Sequence, residues 1–539
     1  MTDEEALRRS IIAQPEEDTP RMVYADWLQE NDRCEEAEFI RVGCRLEATS
    51  PDHPDYPEWL ARQDELTIWL ATHVDAPKLK FADGLEGSGE AGWWRITRRG
   101  FPRYVDFDGN HHHGAKAMRA LAASVEKAFE TLPTRWLAVR SITNEQLAEL
   151  LRQPVIAKLD RLTVQLYAQA EANDDAARLI ADCPHLRNLR GAALAFNFGD
   201  AGVAALSGSE NLRRLEWLSI PGEGLTAAAV RSLGSAEWFR NLRSLDLCEG
   251  VSESAFGELC RVGPLAGLHT LKLASSRLSL DSCEAFALSK SFPVLSQLEL
   301  ARTYLGGGLM EVLASASWLR PAYLALDNCG MWNDGIAAIA DAPWLGSVRW
   351  LALRGNQFSA DGVAALASSP NLTGLKHLDL SNNSVGAGGL RAIASNPALR
   401  GLIGLNLAGR KQDRGRLTPG HLLAFLSKLD APQLRYLSLR GRPVGAIAAR
   451  SLANEKFASL TRLDLTNCGL TPGSVKTLLK SPAMQNLVEL RLEDNKLKTG
   501  LELLTDPQTL PRLGGCYLDG NAIETELETK LRKRAGVVF

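Results

Sequence analysis

From Val348 to Pro397 the apolar and polar residues follow a pattern that is set out once and repeated 27 residues later. Leu351, Leu353, Asn356 and Phe358 return as Leu378, Leu380, Asn383 and Val385, and the stretch GVAALASSP returns as GLRAIASNP. Leucines two apart predict a short strand with one buried face. The apolar spacing that follows is helical, so each unit reads as strand, turn and helix. The first residue of each such pair places strands at Leu137, Leu162, Leu189, Leu218, Leu245, Leu271, Leu298, Leu324, Leu351, Leu378, Leu405, Leu437, Leu463, Leu490 and Cys516, with Val105 as an additional edge strand. That makes 15 repeats, most of them 26 or 27 residues long, enough for a strand and a full α-helix. A unit of this size cannot bury its apolar face alone, and stacking its copies into a solenoid solves that problem.

The spacing LxxLxLxxNxL is that of the leucine-rich repeat, and the repeat length resembles the ribonuclease-inhibitor-like class. The resemblance implies an α/β fold, a curved solenoid or horseshoe with parallel strands inside and helices outside. Asn356, Asn383, Asn495 and Asn521 recur at the turn after the strand, where a side-chain amide can satisfy backbone groups of its own and neighbouring turns. Cys329, Cys468, Thr303 and Ser276 stand there as smaller partners.

Ahead of the array the period changes. DEEALRRSIIAQ (3–14), the run from Pro20 to Leu28, and Glu35 to Ala48 each read as short helices. Pro15, Pro20, Arg21, Tyr24, Ala25, Asp26, Trp27, Leu28, Glu30 and Ala37 to Arg41 resemble the signature of the repeat-companion domain, a bacterial N-terminal module that precedes repeat arrays. The resemblance covers about the first 48 residues and implies context, with no activity attached to it. A proline-rich TSPDHPDYP (49–57) reads as a linker, Glu58 to His73 as a further helix, and Trp93 to Thr97 and Tyr104 to Phe107 as strands that would pair to cap the first repeat. The expected organisation is a helical module at 1–48, a linker, helix and capping segment at 49–130, the solenoid at 131–523 and a C-terminal capping helix at 524–539.

Charge adds one distinction. Residues 1–48 carry 13 acidic and 6 basic side chains, a net of -7, and the rest of the chain is therefore +4 within an overall -3. No generic nucleic-acid binding follows from that balance. Nine cysteines without a paired framework fit a reducing compartment, and the polar MTDEEALRRS start and the lack of a long apolar run favour the cytoplasm over a membrane or secretion.

Candidate chemistry is sparse. Gly87 to Gly92 matches G-x-G-x-x-G, but it leads into a strand-like segment where a dinucleotide site would open a helix. His111, His112 and His113 are adjacent, a geometry poorly suited to one tetrahedral ion, and they read as a loop. No catalytic set, cofactor or metal is expected. Three columns flank the strand leucines on the concave face, and they are free of core duty. Trp217, Tyr323, Trp350, Arg354, His377, Asp379, Tyr436 and Arg440 combine aromatics with charges there, the composition of interaction hot spots. Trp238, Trp318 and Trp344, at helix ends, read as core. The 32-residue spacing from Leu405 to Leu437 places an insertion with Arg410, Lys411, Arg414 and Arg416 in a rim loop. These features predict a non-catalytic interaction or scaffold protein that binds a protein partner through its concave face. Ribonuclease-inhibitor-like arrays also occur in GTPase activators, so regulation of a small GTPase is the alternative, by fold analogy alone.

Overall fold

In the computed structural model the strand–turn–helix period becomes a parallel ladder with helices packed along one side. The structure describes residues 2–74, 97–98, 101–102, 104–108, 115–167, 172–248, 250–409 and 417–539. The Gly87 to Gly92 stretch, the triple histidine and the Arg410, Lys411, Arg414 and Arg416 loop lie outside the described residues. The chain divides into two compact units, 1–50 with 76–303 and 51–75 with 304–539.

In the first unit, α1 (Asp3–Ala13), α2 (Thr19–Glu30) and α3 (Cys34–Ala48) share a small core of Ile11, Tyr24, Ala25, Leu28, Ala37, Ile40 and Cys44. Thr2 opens α1 with a capping box closed by Glu5, and proline stands in the first turn of α2, where an N–H would have no carbonyl of the helix to meet. A short antiparallel pair, β1 (Thr97–Arg98) with β2 (Phe101–Pro102), precedes the ladder. The ladder itself comprises β3 (Val105–Asp108), β4 (Trp136–Ile142), β5 (Arg161–Leu166), β6 (Gly191–Ala195), β7 (Trp217–Pro221), β8 (Ser244–Cys248), β9 (Thr270–Lys272) and β10 (Gln297–Glu299), every pair parallel. After α5 (Ala115–Thr131), the outer helices run from α6 (Asn144–Leu151) to α11 (Leu280–Ala287).

Two expectations are corrected here. The strand at Val105 is the expected edge rung, parallel to β4, but it does not pair with the strand ending at Thr97, because β1 takes Phe101–Pro102 as its partner. The third strand is centred on Ala192, which pairs with Leu162, so Leu189 is not its first position. Leu189 closes a 3-10 turn through its N–H to Leu186, as Leu215 does with Leu212 one repeat later. An alanine in the strand position let the turn leucine take its place in the pattern.

In the second unit, α4 (Tyr56–His73) belongs with β11 (Tyr323–Ala325), β12 (Trp350–Ala352), β13 (His377–Asp379), β14 (Gly404–Asn406), β15 (Tyr436–Ser438), β16 (Arg462–Asp464), β17 (Glu489–Arg491), β18 (Gly515–Tyr517) and β19 (Val537–Val538). These strands pair in parallel and in register, leucine beside leucine as far as β17, after which Leu490 lies beside Cys516 and Cys516 beside Val537. Outer helices run from α12 (Gly306–Ala314) to α18 (Pro472–Leu479). The capping helix α19 (Thr525–Leu531) is followed by β19, a closing strand that the leucine spacing does not reveal. Arg534 secures that end by donating to the carbonyls of Leu504, Thr509 and Leu510. The fold is the α/β leucine-rich repeat solenoid.

Inward leucines such as Leu351, Leu353, Leu378 and Leu380 are 0–3 % exposed and form the core between sheet and helices. Trp238 and Trp344 join it, while Trp318 is only half-buried. The turn amides form a ladder of their own. Asn495 donates to the carbonyls of Leu465 and Leu492 and accepts from the N–H groups of Cys468 and Leu470. Asn521 repeats the arrangement one turn on, Asn356 does so earlier, and Asn383 makes its donor half, to the carbonyls of Leu353 and Leu380. The residue before each ladder side chain takes a left-handed backbone, as at Asn328, Asn382, Asn467 and Gly441, which favours asparagine and glycine there.

One rung departs from the pattern. Arg442, 3 % exposed, occupies the ladder position, and its guanidinium reaches the carbonyls of Leu407 at 2.6 Å and Asn383 at 3.1 Å. Those carbonyls belong to the 32-residue repeat and to the repeat before it.

Candidate functional site

In the second unit, side chains that alternate with the core leucines project from the sheet face away from the helices. Because neighbouring strands run in register, one column stacks Tyr323 on Trp350 at 5.8 Å and Trp350 on His377 at 4.1 Å between ring centroids. The stack ends at Gly404. A Cβ there would lie 2.3 Å from Nδ1 of His377, so the imidazole needs a glycine beside it.

Farther along, charges take over. Arg462 pairs with Glu489 at 2.9 Å and lies 5.0 Å from the ring of Tyr436, while Arg491 pairs with Glu489 at 2.8 Å and lies 4.3 Å from the ring of Tyr517. Burial works against an ionised Glu489, but the two guanidiniums outweigh it and hold its pKa below the usual carboxylate range. Burial, reinforced by Asp464, pushes the Tyr436 phenol up to about 12.

Helix α4 crosses this face at the N-terminal ends of the strands. Along it, Glu58 meets Lys376 at 3.6 Å, Asp64 meets Arg462 at 3.1 Å, Glu65 meets Arg435 at 3.3 Å and Thr461 at 2.7 Å, and the Thr72 hydroxyl donates to the carbonyl of Gly514. Contacts advance along the helix as they advance along the sheet. Pro57 to Thr72 spans about 22 Å of helix, and β13 to β18 spans about 24 Å of sheet, so one helix matches six strands laid at right angles to it. Its backbone rides on Gly514, where a Cβ would stand 2.8 Å from the Cα of Trp69. Leu66 and Leu70 face inward at 0–1 % exposure, and the Glu65 carboxylate is 1 % exposed.

The eight residues singled out from the sequence separate accordingly. Tyr323 and Trp350 are half-buried members of the stack, Arg354 and Arg440 are exposed, and Asp379 accepts from Asn406 at 2.9 Å. His377 is 7 % exposed and in hydrogen-bonding contact with the Pro57 backbone, beneath the start of α4. Burial lowers its pKa to about 4. Tyr436 sits under the Arg462 guanidinium. Trp217 belongs to the first unit, edge-on to Trp136 at 5.8 Å. Sequence reasoning missed α4 as part of this face, and its partners are some 370 residues away in the chain. The acids Glu58, Asp64 and Glu65 on one amphipathic helix were the signal available. Among the described residues there is no cluster of metal-ligating side chains, and no helix is long and apolar enough to cross a membrane.

A parallel ladder backed by helices, an amide ladder in its turns and a side-chain-bearing open face define a chain built of leucine-rich repeats. Residues 371–394 and 458–479 match the family model described as Leucine Rich repeat. Over 103 residues the chain is 36% identical to the Acidic leucine-rich nuclear phosphoprotein 32 family member A of Drosophila melanogaster, an alignment covering 17% of this chain. The chain spans 36% of the length of that relative. Among solved structures, an internalin from Listeria monocytogenes aligns at 14% identity and TM-score 0.34 over 79% of this chain and 94% of that one. The Rad7 and Elc1 complex of yeast aligns at 14% identity and TM-score 0.32 over 100% of this chain and 98% of that one.

Proposed function

We propose that the protein is a non-catalytic interaction protein, holding a protein partner on the part of the second unit's sheet face that α4 leaves uncovered. Leucine-rich repeat arrays commonly serve protein–protein interaction through such faces. The observation that carries the reading is the join of a preformed aromatic stack, Tyr323 on Trp350, with the exposed guanidiniums of Arg354 and Arg440. Rigid aromatics beside unburied cations supply contact area at small entropic cost and a means of orienting an anionic group. Asp379 completes the patch, while His377 and Tyr436 support it from beneath α4 and Arg462. In this reading the helices of residues 1–48 act as a repeat-companion module that docks or adapts, the repeats are of the ribonuclease-inhibitor-like class, and the protein works in the cytoplasm.

Affinity capture from the native host, with mass spectrometry on the wild type, a Tyr323→Ala/Trp350→Ala variant and an Arg354→Glu/Arg440→Glu variant, tests it. The reading expects the same partners to be lost from both variants. Unchanged recovery from both would remove this face from the function.

A further inference from the structure

The first unit carries the strand edge that α4 covers in the second, and there it is strongly cationic. A groove of about 1220 Å³ runs along it, with seven arginine and lysine side chains against three carboxylates in its walls. Its walls come from the same repeat positions that meet α4 in the other unit, two and four residues before the strand's first core position. In the second unit these are Gln433, Arg435, Ser459 and Thr461, and in the first Asn188, Arg190, Arg214 and Glu216.

Part of the first unit's charge is already neutralised. Arg190 pairs with Glu216 at 3.1 Å, Lys158 with Glu126 at 2.7 Å, and Arg213 with Glu210. Arg135 is occupied near the N-terminal module, where it donates to the carbonyl of Ile12. The cations left over lie toward β7 and β8. Arg214, Arg240 and Arg243 are exposed, and among the described residues none has a carboxylate within ion-pair distance. Exposed arginines alone would be a solvated edge. What distinguishes these is that the same chain shows, in its other unit, what covers such an edge: a helix whose acids meet Lys376, Arg435 and Arg462.

We propose that this edge is a second docking surface and that its occupant is an acidic amphipathic helix of a partner protein, laid across the strand ends as α4 is. The spacing fits. One helical turn advances about 5.4 Å and one strand about 4.8 Å, so one carboxylate per turn meets one repeat after another. This surface is separate from the patch around Trp350, and either can fail without the other.

The test uses the full-length protein and a fluorescein-labelled helical peptide with one glutamate per turn beside a leucine face, together with its Glu→Gln counterpart. Fluorescence anisotropy should show binding of the acidic peptide alone, weakening with added salt. The Arg214→Glu/Arg240→Glu/Arg243→Glu variant should lose about tenfold in affinity or more, since each exposed pair contributes modestly. The Arg214→Gln/Arg240→Gln/Arg243→Gln variant, which avoids new repulsion within the fold, should fall between the two. A Lys476→Glu/Lys480→Glu variant in the other unit should bind as the wild type does. Equal affinity across all variants, or equal binding of the glutamine peptide, would overturn the proposal. So would a single-stranded oligonucleotide that binds more tightly than the peptide and is lost in the same variants, because the edge would then be a nucleic-acid site.

Discussion

The helices α1 to α3 and the helix α4 are neighbours in sequence and opposites in construction. The first three bury Ile11, Tyr24, Leu28 and Ile40 against one another, so their packing is largely their own. Among the described residues, helix α4 has no such companions. Its apolar side, Leu66 and Leu70, is completed by the sheet, and its position is set by the buried Glu65 carboxylate and its partners Arg62, Arg435 and Thr461. Apolar packing tolerates small shifts, whereas a buried carboxylate is satisfied at one place only. The contrast teaches how a single helix can be held in a defined register on a long sheet.

The comparison can be broken at its strongest point first. Leu28→Ala should cost roughly 3 to 4 kcal/mol of the stability of α1 to α3, and hydrogen exchange should rise in those helices while α4 keeps its protection. Simultaneous opening of α4 would show that the two are not built independently. Next comes pH. With His377 lowered from 6.5 to about 4, the unfolded chain takes up a proton that the folded unit refuses, so stability is full above pH 6.5 and declines as pH falls toward 4. The loss amounts to about 3 kcal/mol. Urea titrations of the wild type and His377→Phe across that window should show a steeper acid loss in the wild type, and parallel profiles would refute the assignment.

Glu65→Ala should cost about 2 kcal/mol, less than a fully buried pair because Arg435 regains water. Proteolysis within residues 56–73 should accelerate in that variant; an unchanged cleavage rate would mean that Leu66 and Leu70 suffice. Asp64→Asn removes an exposed pair with Arg462 and should shift stability by less than about 1 kcal/mol. A loss as large as that of Glu65→Ala would reverse the ranking of buried over exposed contacts on α4.

The repeat strands were legible because Leu-x-Leu is a local signal, and the structure has strands at 14 of the 15 chosen positions. Leu189 failed because Ala192 is a weak marker and a turn leucine three residues earlier is a strong one. β19 is two valines long, too short for periodicity to register. Arg442 does not resemble the amides and small side chains that mark the ladder elsewhere, yet its guanidinium reaches carbonyls of the same kind. Helix α4 was legible as a helix, but the surface it covers depends on Arg435, Thr461 and Gly514, far away in the chain. Local pattern carries no information about that distance. The stacking of Tyr323, Trp350 and His377 follows from register once the strands are known, while the burial of His377 does not.

Arg442 has a consequence for how such a chain can change. By bonding to the carbonyls of Leu407 and Ala408 in the long repeat and of Asn383 in the repeat before it, it supplies from the following repeat the contacts that a turn amide makes elsewhere. The ladder is therefore carried past this repeat by a side chain of the next one, a cantilever that a single substitution can remove. Arg442→Ala, which leaves those carbonyls without their donor, should lower the melting temperature measurably.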